Sequence, residues 1–171
     1  KKNVIDPDTI IKEYGADTAR WFVLSDSPPD RDIFWSESGV EAAGKFIRKI
    51  WNTILYLNDL SKKKETNNNS ASQNLKGRNH KTLSKVSSDL DSLSFNKVIA
   101  SLYSYVGDIS KIKEEDCINS EILEETIYFL IIMLNPITPH MAEEAWRLTQ
   151  KTQTLLCDEA WPKYDKDLVK E

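Results

Sequence analysis

The chain has 171 residues, 40% of them hydrophobic and 29% charged, enough apolar content for one sizeable core under a well-solvated surface. A formal net charge of −4 argues against a uniformly basic nucleic-acid binder, though not against a cationic strip on an acidic body. Cys117 and Cys157 stand far apart, which argues against a disulfide framework or a cysteine zinc site; no apolar run spans a bilayer, and 5 Gly and 6 Pro are few enough to favour long helices.

Asp6-Pro7-Asp8 opens a short helix, with Asp6 as cap and Pro7 in the first helical position. Gly15 ends it after Tyr14. Asp17 then caps a second helix through Thr18–Leu24. Ser27-Pro28-Pro29-Asp30 interrupts the pattern, and Asp32-Ile33-Phe34-Trp35 reads as an extended segment or a loop on the core.

Ser38 and Glu41 form an S-x-x-E capping box for a long helix. Val40, Ala43, Ile47, Ile50, Ile54 and Leu57 follow its 3.6-residue period. Lys45, Arg48, Lys49 and Asn52 fall on the other side. The stretch from Lys62 to Arg78 is polar and Asn/Ser-rich, with little apolar surface to offset ordering entropy, and reads as a flexible helix–helix linker at about 63–78.

Helical pattern resumes near His80 and runs to Leu90. Ser94 caps the next helix, with Phe95, Val98, Ile99, Leu102, Val106 and Ile109 on one face. A break follows at 114–119. Residues 122–134 are apolar nearly all round, which places that helix at the centre of a bundle. Asn135-Pro136 ends it, and Thr138-Pro139 starts another. The fold class is therefore all-α: a helical bundle preceded by a short, mainly helical region.

No catalytic constellation is legible. His80 and His140 are isolated and read as solvated or capping residues. Glu143 and Glu144 diverge by about 100° on a helix and do not face one site. No glycine-rich phosphate cradle is present. Trp51, Trp146 and Trp161 read as packing residues before they read as base-stacking platforms. From the residues alone the chain is a scaffold or binding module.

Three stretches carry a resemblance. Asn3, Val4, Asp6, Pro7, Tyr14, Gly15, Ala16, Asp17 and Arg20 match the "N-V-x-D-P … Y-G-A-D-x-x-R" segment that follows the KMSKS signature in class I aminoacyl-tRNA synthetases. Ser27-Pro28-Pro29, Arg31-Asp32 and Trp35-Ser36 resemble the leucine enzymes specifically. Residues 134–148 are similar to the "P-x-x-P-H-x-x-E-E-x-W" element of the anticodon-binding domain, and Trp161-Pro162 to the exit from it.

The resemblance to the leucyl-tRNA synthetase family implies a division into a stem-contact region at 1–38 and an anticodon-binding-type bundle at 39–171. It implies a chain that begins mid-protein, consistent with Lys1 in place of Met, and that lacks the catalytic domain. The parent enzyme would use ATP and Mg2+; no catalytic, cofactor-binding or metal-binding residue is assigned here. The implied partners are tRNA(Leu), met through its backbone, and the catalytic domain of the same chain, in a monomeric, cytoplasmic enzyme with no membrane association. Lys45, Arg48 and Lys49 are the candidate phosphate contacts, with Arg31, Lys1 and Lys2 as outliers. The alternatives are the same domain of a valyl-tRNA synthetase, or a helical protein-interaction module without RNA binding.

Overall fold

The computed structural model describes residues 6–26, 32–150 and 153–170. Among them are α1 (Pro7–Tyr14), α2 (Ala16–Asp26), α3 (Glu37–Ser61), α4 (Ser70–Asp91), α5 (Phe95–Ile109), α6 (Ser120–Leu134), α7 (Pro139–Gln150) and the single turn α8 (Lys166–Val169), with 3-10 turns at Glu114–Asp116 and Leu156–Asp158 and no strand. The chain is all-α, as its periodicity requires.

Asp6 caps α1 by accepting from the Asp8 N–H at 3.1 Å, and Pro7 occupies the first helical position. Gly15 follows at φ +85°, a conformation in which a Cβ would be strained, and its N–H bonds the Ile11 carbonyl. α3 begins two residues earlier than the S-x-x-E pattern suggests. Its cap is Ser36, whose Oγ accepts from the Gly39 N–H at 3.2 Å. A Cβ on Gly39 would lie 2.7 Å from the Phe22 ring, so glycine lets α3 approach α2 closely.

α3 is about 37 Å long and buries Val40, Ala43, Ile50, Ile54 and Leu57, while Ile47 is only half-buried. α6 is buried nearly all round and packs against α3, α4 and α7. Trp21 and Phe22 of α2 belong to the same continuous core as α3, α5 and α6, so α2 shares the bundle's interior.

The stretch expected to be a linker at 63–78 is mostly helix: α4 starts at Ser70, and only residues 62–69 connect it to α3. Polar groups build this start in place of apolar area. Asn69 Oδ1 accepts from the Ser72 N–H at 2.8 Å, and its Nδ2 donates to the Asp116 carbonyl at 3.0 Å. Ser72 is fully buried; its hydroxyl donates to the Asn67 carbonyl and accepts from the Asn119 N–H, both at 2.9 Å. A composition argument counts buried carbon and overlooks hydrogen bonds that order Asn and Ser.

Inside the bundle, Asn79 is completely buried. Its Oδ1 accepts from the Tyr105 hydroxyl at 2.7 Å, and its Nδ2 donates to Thr126 Oγ1 at 2.9 Å and Glu125 Oε2 at 3.2 Å. α4, α5 and α6 are thus joined by a satisfied polar network, which fixes their register in a way apolar packing does not. His80 is buried too, not solvated as the sequence suggests. Its Nδ1 accepts from the Asp165 N–H at 3.0 Å, which leaves the proton on Nε2, 3.3 Å from Glu125 Oε1. Trp161 donates to Ser87 Oγ at 2.8 Å. These two contacts tie the C-terminal segment to α4.

Candidate nucleic-acid interface

Asp17 and Arg20 lie one turn apart on α2, and both reach the α6–α7 turn. Asp17 does not cap its own helix. Its Oδ2 accepts from the Met141 N–H at 2.7 Å, and its Oδ1 lies 2.9 Å from His140 Nδ1, so the carboxylate caps the N-terminus of α7. Among the described residues Arg20 pairs with no carboxylate. Its Nε and Nη2 donate to the carbonyls of Ile137 (2.9 Å) and Pro136 (2.8 Å), in the turn between α6 and α7. The Y-G-A-D-x-x-R stretch therefore grips the P-x-x-P-H stretch from 116–124 positions away.

The remaining polar residues read from the sequence also have structural employment. Glu143 accepts from the N–H groups of Leu156 (3.0 Å) and Cys157 (3.1 Å), whereas Glu144 turns outward to Arg147, whose guanidinium holds its carboxyl below the usual range. The two do diverge. Desolvation and the nearby Asp158 and Glu143 carboxylates push the Cys157 thiol up, away from a reactive thiolate. Trp146 is core, Trp51 is half-buried against it, and Trp161 is held by Ser87.

The cationic candidates fall into two groups. Arg31, Lys1 and Lys2 lie outside the described residues. Lys45, Arg48 and Lys49 come together on the exposed face of α3. With Asn52 and Tyr56 they line a groove of about 490 Å3, closed on the far side by Ser110 at the end of α5. None of the three cations has an ion-pair partner among the described residues, and no carboxylate lines this groove. At its N-terminal end, Glu13 and Glu41 share a smaller depression with Lys45 and Arg48, which Lys49 does not line. Lys62 and Lys63 are by contrast neutralised by Asp59 and Glu114.

A larger groove of about 850 Å3 runs between α4 and α5. Arg78, Lys81 and Lys85 line it, but so do Asp108 and Asp116, and Arg78 is already paired with Asp108. With two carboxylates against three cations it carries less net positive charge than the α3 groove, which makes the α3 groove the stronger site for an anion. Of the α4 cations, Arg78 falls in the stretch that reads as linker, while Lys81 and Lys85 lie in the helix expected from His80 to Leu90, where nothing in the spacing sets them apart. Tyr56 also escapes the sequence reading, although its place one turn beyond Asn52 on the polar face was available from spacing alone.

An all-helical bundle with an unneutralised cationic groove is an architecture suited to holding a polyanion. Over residues 72–171 the chain matches the family described as the anticodon-binding domain of tRNA ligase, and it belongs to that family. It is 40% identical over its whole length to a leucine–tRNA ligase of Afipia carboxidovorans and 41% identical to one of Agrobacterium fabrum. It spans about a fifth of the length of each (20%). The fold is similar, with a TM-score of 0.86 and 24% identity, to a solved LeuRS of Agrobacterium radiobacter K84 in ternary complex with tRNA and LeuAMS; the likeness covers 98% of this chain and 22% of that one.

Proposed function

We propose that this chain is the tRNA-positioning part of a leucine–tRNA ligase, and that α3 supplies its backbone contacts to tRNA(Leu). The observation that carries the reading is the whole-chain identity with leucine–tRNA ligases. The same relatives favour a leucine enzyme over a valine enzyme, and the family match favours an RNA partner over a protein-interaction module.

Lys45 and Lys49 stand one helical turn apart with Arg48 beside them, on a rigid helix anchored by its opposite apolar face. Such a row meets successive phosphates and releases counterions from them, which gives affinity and register without reading sequence. Arg31, Lys1 and Lys2 stay with the strip as candidates on sequence grounds. Residues 1–38 act as the stem-contact region, linked to the bundle through Asp17 and Arg20. ATP and Mg2+ serve the parent enzyme, a cytoplasmic monomer; no group of three or more His, Cys, Asp or Glu among the described residues is placed to hold a metal, and no chemical step is assigned to this chain. No helix among the described residues is long and apolar enough to cross a membrane.

The test replaces Lys45, Arg48 and Lys49 with Ala in the full-length enzyme. The KM for tRNA should rise about tenfold, and the slope of log affinity against log salt should become shallower by about 3. An unchanged KM and slope would remove the strip from the account.

A further inference from the structure

The α3 groove holds more than cations. Tyr56 lines it, is 44% exposed, and has neither a ring partner nor a hydrogen bond for its hydroxyl among the described residues. Other aromatics near α3 are engaged. Phe46 packs on Tyr103 with centroids 3.9 Å apart and on Trp21 at 5.5 Å, and the Tyr103 hydroxyl accepts from Trp21 Nε1 at 3.0 Å. A single exposed aromatic is ordinary on a protein surface. What distinguishes Tyr56 is its place in a row with three cations and the amide of Asn52, none of which has an ion-pair or hydrogen-bond partner for its side chain among the described residues. Lys45, Lys49, Asn52 and Tyr56 succeed one another at three- and four-residue steps, and the row spans about 16 Å along the helix axis.

A duplex presents phosphates and sugars outward and hides its base faces in the stack. Cations alone would suffice to bind it. An open aromatic ring at the end of a cationic row serves a base that is already out of a stack, because every base offers a π-face. We infer that the α3 groove is a subsite for an unpaired RNA nucleotide, whose phosphates lie along Lys45, Arg48 and Lys49 and whose base stacks on Tyr56. Asn52 between them offers one donor and one acceptor to the sugar or the base edge. Stacking is sequence-tolerant, so the subsite senses whether a nucleotide is unpaired, not which base it carries. The inference rests on the tRNA-contacting role proposed above.

The experiment titrates the full chain with two RNA hairpins of equal charge, one fully paired and one with a single bulged nucleotide, 2-aminopurine, whose fluorescence falls on stacking. The wild type should bind the bulged hairpin more tightly and quench it. Y56A should lose about tenfold or more on the bulged hairpin and abolish the quench, leave the paired hairpin unchanged, and keep the salt slope; Y56F should retain the wild-type behaviour. K49A should weaken both RNAs. If Y56A matches the wild type on both hairpins while K49A weakens both, the stacking subsite is wrong and the backbone reading stands. If neither variant changes either titration, the subsite and the phosphate strip both fail. Equal weakening of both hairpins by Y56A, with a lowered melting temperature, would mark Tyr56 as structural and also overturn the inference.

Discussion

Replacing Asp17 with Ala should loosen the joint between α2 and α7 by about 2 kcal/mol. The side chain is 12% exposed and caps α7 with a 2.7 Å bond from the Met141 N–H and a 2.9 Å contact to His140 Nδ1. Loss of a helix cap costs roughly 1 kcal/mol, within a range of about 0.5–2. Loss of a carboxylate at a helix N-terminus adds about 0.3–1 kcal/mol. The Met141 N–H, half-buried behind Asp17, then has no acceptor in place, which moves the total toward the upper half of the sum. For a chain of this size 2 kcal/mol corresponds to a fall in Tm of about 4–8 °C. Urea unfolding followed by circular dichroism measures it as a shift in midpoint at constant slope. D17N keeps an oxygen acceptor but no charge and should lose about half as much. D17E keeps the charge near the start of α2 but misplaces it for α7, which separates the two helices' shares. A D17A variant within about 0.5 kcal/mol of the wild type would refute the cross-fold cap.

Two further outcomes follow from the polar interior. Burial pushes the Tyr105 phenol far above its ordinary value of 10.0, so the folded state resists its ionisation while the unfolded state does not. Its contribution is fully present below pH 10 and is lost as pH rises beyond it, by up to about 1.4 kcal/mol per unit. Y105F should flatten that alkaline decline, and at neutral pH should cost about 1–3 kcal/mol because Asn79 Oδ1 loses its donor; both are read from denaturant midpoints at pH 7 and above 10. H80A removes the acceptor for the Asp165 N–H, so amide exchange across 161–170 should accelerate while α6 stays protected; unchanged exchange there would show that the segment does not depend on this bond.

Much of the fold follows from local chemistry. The apolar period of α3 and α5, the all-round burial of α6 and the proline-led starts of α1 and α7 are each set by residues within a few turns of one another, so spacing alone reveals them. The cationic row on α3 is local for the same reason. It is one face of one helix, and the groove adds only Ser110 from elsewhere.

Tertiary structure decided what depends on partners far along the chain. The start of α4 is built by Asn69, Ser72 and Asn119 bonding across about 47 positions, and composition carries no record of such pairings. Asp17 looks like the cap of its own helix and caps another; Arg20 binds two carbonyls 116 and 117 positions away; His80 reads as solvated or capping and is buried. In each case sequence specifies the group and its chemistry. Only the packing of α2 against the α6–α7 turn, and of the C-terminal segment against α4, settles which unsatisfied donor or acceptor it meets, because a hydrogen bond depends on separation in space and not along the chain.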